Sequence, residues 1–158
     1  MIIAMPLSAE TFAPYGDVIS AVGDPDHYIN AGKCGRFHDL ANTDFGEGKA
    51  GISLAHGTPY ALPLNLTMIE RHPLGSQMFM PLNDAPFLVV VSDGPEATPK
   101  AFITDGTQGV NYHKGTWHGV LTPLNAPQPF LIVDRIGDGN NLEEHVFETP
   151  FQVTLPHA

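Results

Sequence analysis

Two stretches of this chain carry side chains able to move protons or hold an ion: Leu64-Asn65-Leu66-Thr67-Met68-Ile69-Glu70-Arg71-His72 and His113-Lys114-Gly115-Thr116-Trp117-His118. If the first is a strand, alternation puts Leu64, Leu66, Met68, Glu70 and His72 on one face and Asn65, Thr67, Ile69 and Arg71 on the other. An apolar stripe then leads into a carboxylate and an imidazole. Lining a barrel, that carboxylate needs a positive or hydrogen-bonding partner, because burying it alone is costly. Gln77 comes five positions after His72, across Pro73-Leu74-Gly75, a turn that can lay the next strand beside its predecessor. In the second stretch His118, Val120 and Thr122 share a face. Gly115 and Gly119 on either side of Trp117-His118 permit tight turns and close backbone approach, so His118 can be aimed inward. Trp117, on the opposite face, is expected to pack. Glu70 offers a general base, and an imidazole, whose ordinary pKa lies nearest neutrality, offers an acid or a ligand.

A small anionic substrate would also need a cation, and the chain has only seven lysines and arginines. Arg71 is expected on the face away from Glu70. Lys114 neighbours the second histidine stretch and can reach the same place or remain a solvated turn residue. Arg36 offers a planar fork matched to a carboxylate, with Asp39 as a competing structural partner. Arg135 completes the set of candidates. Tyr112 can lend a hydroxyl to substrate or serve as an ordinary half-buried barrel tyrosine.

These groups must be positioned by β structure. Prolines 59, 63, 73, 81, 86, 95, 99, 123, 127 and 129 cut the middle of the chain into pieces too short for long helices. The one helix expected is short, opening at the capping hydroxyl of Ser8 and stopped by Pro14. Runs of β-branched and aromatic residues between turn signals predict strands near 51–56, 64–72, 76–80, 87–91, 100–104, 109–113, 117–122, 129–135, 144–148 and 151–155. Several are apolar on both faces, as in two stacked antiparallel sheets or a closed barrel. The expectation is an all-β jelly-roll barrel with one short N-terminal helix, residues 1–158 forming a single domain.

Composition removes other classes. Seven basic against seventeen acidic side chains leave a formal charge of −10, which repels phosphate backbones and anionic lipid surfaces, so neither nucleic acid nor membrane is expected as a partner. Sixteen glycines and fifteen prolines supply turns, while 42% apolar residues are too many for a disordered chain. Cys34 is the only cysteine, which rules out an intrachain disulfide and a cysteine-based zinc cluster and suits a reducing compartment. With no secretory signal and no apolar run of membrane-spanning length visible, a cytoplasmic protein is expected.

The spacing Glu70-x-His72 followed by Gln77, and His113-x-Gly115-x-x-His118, resembles the two motifs of the cupin family. His72 and His118 stand at positions where that family has metal ligands. Glu70 stands where the family has a histidine and Gln77 where it has a glutamate. More finely, the chain resembles the ureidoglycolate lyase family in Ile29-Asn30-Ala31-Gly32, Arg36-Phe37-His38-Asp39-Leu40-Ala41, Glu70 to Gln77, Tyr112 to His118 and Val133-Asp134-Arg135. The cupin resemblance implies a double-stranded β-helix. The finer one implies a cytoplasmic carbon–nitrogen lyase of purine and allantoin breakdown, generally a homodimer, that splits ureidoglycolate into glyoxylate and urea, with nickel associated with some members.

On that resemblance Glu70, His72, His118 and His113 are the expected catalytic residues, and Gln77, Lys114, Tyr112, Arg36 and Asn30 the expected substrate contacts. A divalent metal, Ni2+ for preference, would take His72, His118, Gln77 and Glu70, and His113 would then be the alternative base; catalysis without metal is the other version. A dimer would use outward apolar residues such as Ile69. Two other functions fit the same residues: an iron oxygenase using Glu70, His72 and His118, and a barrel that binds a small acid without catalysis.

Overall fold

The computed structural model describes residues 1–157 and is nearly all β, with a nearly closed barrel-like sheet as in the cupin double-stranded β-helix. Its elements are β1 (Ile2–Ile3), β2 (Met5–Pro6), α1 (Ala9–Phe12), β3 (Gly16–Ile19), β4 (His27–Ile29), β5 (Cys34–Arg36), β6 (Lys49–Gly57), β7 (Leu64–Arg71), β8 (Gln77–Pro81), β9 (Phe87–Ser92), β10 (Lys100–Ile103), β11 (Gly109–Tyr112), β12 (Trp117–His118), β13 (Thr122–Pro123), β14 (Gln128–Ile136) and β15 (Glu143–Thr154). As expected, Ser8 caps α1, its hydroxyl accepting from the Thr11 N–H. None of the helices among the described residues is long and apolar enough to cross a membrane.

The first sheet runs β1-β15-β7-β12-β9-β10-β2, with β13 added on β9. Only Ala4 separates β1 from β2, yet these strands occupy opposite ends of the order, so the sheet curls until its ends meet. The second sheet, β3-β11-β8-β14-β6, packs against it, and β4-β5 forms a separate hairpin. All six residues of β9 are buried. Phe87, Val89 and Val91 join Phe79, Val110, Tyr112 and Phe130 in one core, while Leu88 and Val90 join Leu64, Leu66, Ala101 and Val153 in another. Each such side chain taken fully out of water contributes about 1.5–3 kcal/mol, so both faces of β9 are held firmly.

Four expectations need correction. The run expected over 117–122 is interrupted: Thr122 Oγ1 donates to the Val120 carbonyl at 2.7 Å, turning the chain, and Val120 is 39% exposed instead of sharing the buried face of His118 and Thr122. The two strands expected over 144–155 are one, with a register shift between Val146 and Phe151. The N-terminal strands β1 to β5 were not foreseen; β1 and β2 are two-residue additions parallel to β15 and β10. Ile69 is completely buried, so it cannot be an outward contact. Among the exposed apolar side chains, Ile52 and Leu54 on the sheet-edge strand β6 are 76% and 71% exposed.

Candidate active site

Strand register brings the expected residues together from two sheets. In the first sheet, β12 places His118 directly opposite Glu70 on β7 and Val91 on β9. In the second, Tyr112 on β11, Gln77 on β8 and Asp134 on β14 form one cross-strand row. Directly opposed residues point to the same side of a sheet. That side is the interior, because the Tyr112 ring stacks on His118 with centroids 4.2 Å apart and planes 8° from parallel. His72, one residue beyond β7, lies 5.3 Å from His118 between ring centroids. One ligand-capable atom each of Glu70, His72 and His118 falls within 4.8 Å of the others.

Gly115, with φ at +81°, lets the chain reverse between Tyr112 and Trp117, and its N–H donates to the His72 carbonyl at 3.0 Å, tying the two histidine stretches together. Trp117 faces away from His118 as expected and carries the Arg71 guanidinium 5.0 Å above its ring. Arg71 also pairs with Glu143 at 2.7 Å, so it belongs to the other face of β7.

The hydrogen bonds fix what the cluster offers. The ring Nδ1 atoms of His72 and His118 meet the Asn141 and Gly119 carbonyls at 2.8 and 2.9 Å. A carbonyl oxygen only accepts, so in both rings Nδ1 carries the proton, and in the neutral ring Nε2 is a lone pair. Burial lowers the His118 pKa to about 4, with the neighbouring His72 adding to the effect against the Gly119 bond, so His118 is neutral at pH 7 and is not a protonated acid. Gln77 donates from Nε2 to Asp134 at 3.0 Å, which leaves its Oε1 as the free end. Among the described residues five buried polar atoms lack a partner, and three of them are His72 Nε2, His118 Nε2 and Gln77 Oε1. Buried polar groups are rarely left so; with both rings neutral all three atoms are acceptors, a set that a cation would satisfy.

Glu70 is half-buried and accepts no hydrogen bond from the described residues; burial raises its pKa, Glu144 across the ladder adds to the rise, and His72 opposes it. Tyr112 is buried, and burial, with the Glu70 charge, raises its pKa, so the phenol keeps its proton. The donor set of two imidazole nitrogens and an amide oxygen, with a carboxylate beside it to balance charge, fits a divalent cation of borderline character.

The remaining expected residues are placed elsewhere. His113 Nε2 meets Asp17 at 3.0 Å, and Lys114 pairs with Asp44 at 3.2 Å, both beside the segment that runs over the outer face of the second sheet. Arg36 and Asn30 lie exposed on the β4–β5 hairpin and its turn, where Asn30 takes φ of +56°, with no hydrogen bond or ion pair to Glu70, His72 or His118. Arg135 is committed to the backbone: Nε donates to the Phe45 carbonyl and a terminal nitrogen to the Asp138 carbonyl. It threads between Gly48, Gly75 and Gly137, where a Cβ would approach it to within 2.9 Å or less. It thereby holds together the loops on either side of His72. Nothing in spacing marks Asp134 or Asn141, since each matters through register or a loop contact across more than fifty residues.

The sequence profile of the family described as ureidoglycolate lyase matches residues 1–154. A protein of Chelativorans sp. (strain BNC1) named ureidoglycolate lyase is 55% identical over 160 residues, covering 98% of this chain and 97% of that protein. One of the same name from Mesorhizobium japonicum is 56% identical over 160 residues, with 98% of each chain covered. Another from Pseudomonas syringae pv. syringae is 46% identical over 163 residues, covering 99% and 96%.

Proposed function

This chain belongs to the ureidoglycolate lyase family, and from that premise we propose that it eliminates urea from ureidoglycolate, leaving glyoxylate, at the Glu70–His72–His118 cluster. The supporting observation is that His72 Nε2 and His118 Nε2, buried and without a hydrogen-bond partner, stand beside the half-buried Glu70 carboxylate, while Gln77 Oε1 is likewise buried and unpartnered. The substrate's central carbon carries a hydroxyl, a carboxylate and a urea nitrogen. Elimination removes the hydroxyl proton, turns that C–O bond into C=O, breaks the C–N bond and delivers a proton to the departing nitrogen.

Glu70 is suited to both transfers. Its pKa is raised toward neutrality, chiefly by burial, so the carboxylate takes the hydroxyl proton readily and the resulting acid can hand it to the nitrogen. Positioned proton transfer of this kind contributes roughly 10² to 10⁴-fold to rate. Tyr112, held flat against His118, offers its hydroxyl to substrate as a donor. A divalent cation, with Ni2+ as the preferred ion, would be held by His72, His118 and Gln77 with Glu70 as the charge partner. When bound it would supply Lewis acidity toward the hydroxy acid and neutralise its carboxylate. That contribution matters because Arg71, Lys114 and Arg135 are each engaged with other groups.

The reading also has the protein working in the cytoplasm as a homodimer, burying the exposed edge strand β6; the mass in solution before and after Leu54→Lys tests the assembly. The decisive assay incubates the protein with racemic ureidoglycolate while following glyoxylate, urea and ammonia. Glyoxylate with an equal amount of urea is the expected result. Ammonia in place of urea would reassign the chemistry to amide hydrolysis, and repetition after chelation and Ni2+ addition reads the ion's part.

A further inference from the structure

We propose that Asp134 is the positioning residue that makes Gln77 a cation ligand, by taking the amide's NH2 end and so forcing Oε1 toward the two histidines. The inference rests on reading the cluster as a cation site. A glutamine amide presents a donor at one end and an acceptor at the other, and only the acceptor end suits an ion. Left to itself the group can rotate and present either. Here Gln77 Nε2 donates to Asp134 Oδ2 at 3.0 Å, and a carboxylate oxygen in that position accepts. The amide therefore has one allowed orientation.

Register explains why this carboxylate is available. Asp134 sits directly across from Gln77 on β14, and Gln77 directly across from Tyr112 on β11, so all three side chains leave the sheet on the side where Tyr112 meets His118. Gln77 Oε1 is buried there without a hydrogen-bond partner. The two histidines are oriented in the same manner, each by a backbone carbonyl at Nδ1. Asp134 is the one side chain among these three supports, and therefore the one open to substitution. Outer groups of this kind typically change metal affinity about 10- to 100-fold when removed.

The test titrates the protein with Ni2+ alone against a competing chelator and records the melting temperature of each metal-free variant. Asp134→Asn keeps the shape but can donate, so the amide of Gln77 is free to turn its NH2 inward; Ni2+ affinity is expected to fall about 10- to 100-fold with little change in metal-free melting. The exchange Gln77→Glu with Asp134→Asn restores a donor–acceptor match and an inward oxygen, and is expected to bind at least as tightly as the parent. An Asp134→Asn affinity within about twofold of the parent overturns the proposal, as does an exchange variant no tighter than Asp134→Asn. If Asp134→Asn unfolds, the exchange variant decides alone, and binding about tenfold or more below the parent counts against the proposal. Should the parent take up no Ni2+, or His118→Gln bind as the parent does, the cation reading itself falls and takes this inference with it. Binding lost in His118→Gln but kept in Asp134→Asn removes only the role of Asp134.

Discussion

Two polar clusters of similar composition and opposite character lie on either side of the second sheet, one on its outer face and one in the interior it shares with the first sheet. On the outer face Asp17 accepts from the Asn42 N–H at 2.8 Å and from Asn111 and His113 at 3.0 Å each. Asn111 also donates to the Asn42 carbonyl, and only its Oδ1 is left without a partner. In the interior His72, Gln77 and His118 each present a buried polar atom without a partner, and Glu70 has no hydrogen-bond partner among the described residues. Both clusters hold histidine, amide and carboxylate. A network whose donors and acceptors match ties a loop to a sheet; one with acceptors in excess is prepared for something that is not part of the chain.

The largest contrast should come from Glu70→Gln. Turnover, measured as glyoxylate release, is expected to drop about 10² to 10⁴-fold. Stability should move the other way. Because burial raises the Glu70 pKa in the folded state above the ordinary 4.5, folding favours its protonated form; the stabilisation is full below 4.5 and is lost as pH rises through the raised value. At pH 8 the neutral glutamine should therefore melt at the same temperature as the parent or higher. Normal turnover in Glu70→Gln would erase the distinction between the clusters.

Asp17→Asn should show the reverse pattern, a loss of stability of about 1–3 kcal/mol with turnover kept within a few fold. Burial alone would raise the Asp17 pKa, but the bonds from Asn42, Asn111 and His113 together hold it below the ordinary 3.8. Its contribution to stability is thus present above that value and lost as pH falls through the lowered one. Denaturant melts at pH 7 and pH 3 should show the gap between parent and variant closing in acid. A turnover loss as large as that of Glu70→Gln would place Asp17 and His113 in the reaction.

Gly75→Ala tests the frame that aims His72. The added Cβ would stand 2.7 Å from the Arg135 Cβ and 3.1 Å from the Asp44 carbonyl, a clash expected to lower stability by about 1–3 kcal/mol and to raise KM. The smallest effect should come from Arg36→Ala on the exposed hairpin, with kcat and KM within about twofold of the parent, as for ordinary surface changes. A tenfold or greater rise in KM there would bring the hairpin into the substrate site.

Much of the frame was legible because strand alternation and turn chemistry act locally. The first half of the Leu64–Arg71 strand shows the expected pattern, with Leu64 and Leu66 buried and Asn65 and Thr67 exposed, whereas Ile69 on the second face is buried by contacts that alternation does not record. The capping hydroxyl of Ser8 likewise marked the helix start. β1 and β2 were not legible, because two residues carry no periodicity and exist as strands only through partners some hundred or more positions away. The break after His118 escaped for a related reason: a strand-like run of residues is compatible with a bend whose cause is a hydroxyl–carbonyl contact.

Of the site, residue types and period-two spacing were enough to put Glu70, His72 and His118 on inward faces, and composition was enough to exclude a cysteine-based centre. His113, Lys114, Arg36 and Asn30 had the right chemistry but acquired other partners or positions, which spacing along a chain does not record. Only the folded structure decided where protons and lone pairs lie. The carbonyls of Asn141 and Gly119 set the two imidazoles, and Asp134 sets the amide of Gln77 from 57 residues away. Sequence determines which groups can donate or accept; which end of each faces the interior depends on the neighbour that occupies the other end, and tertiary contact supplies that neighbour.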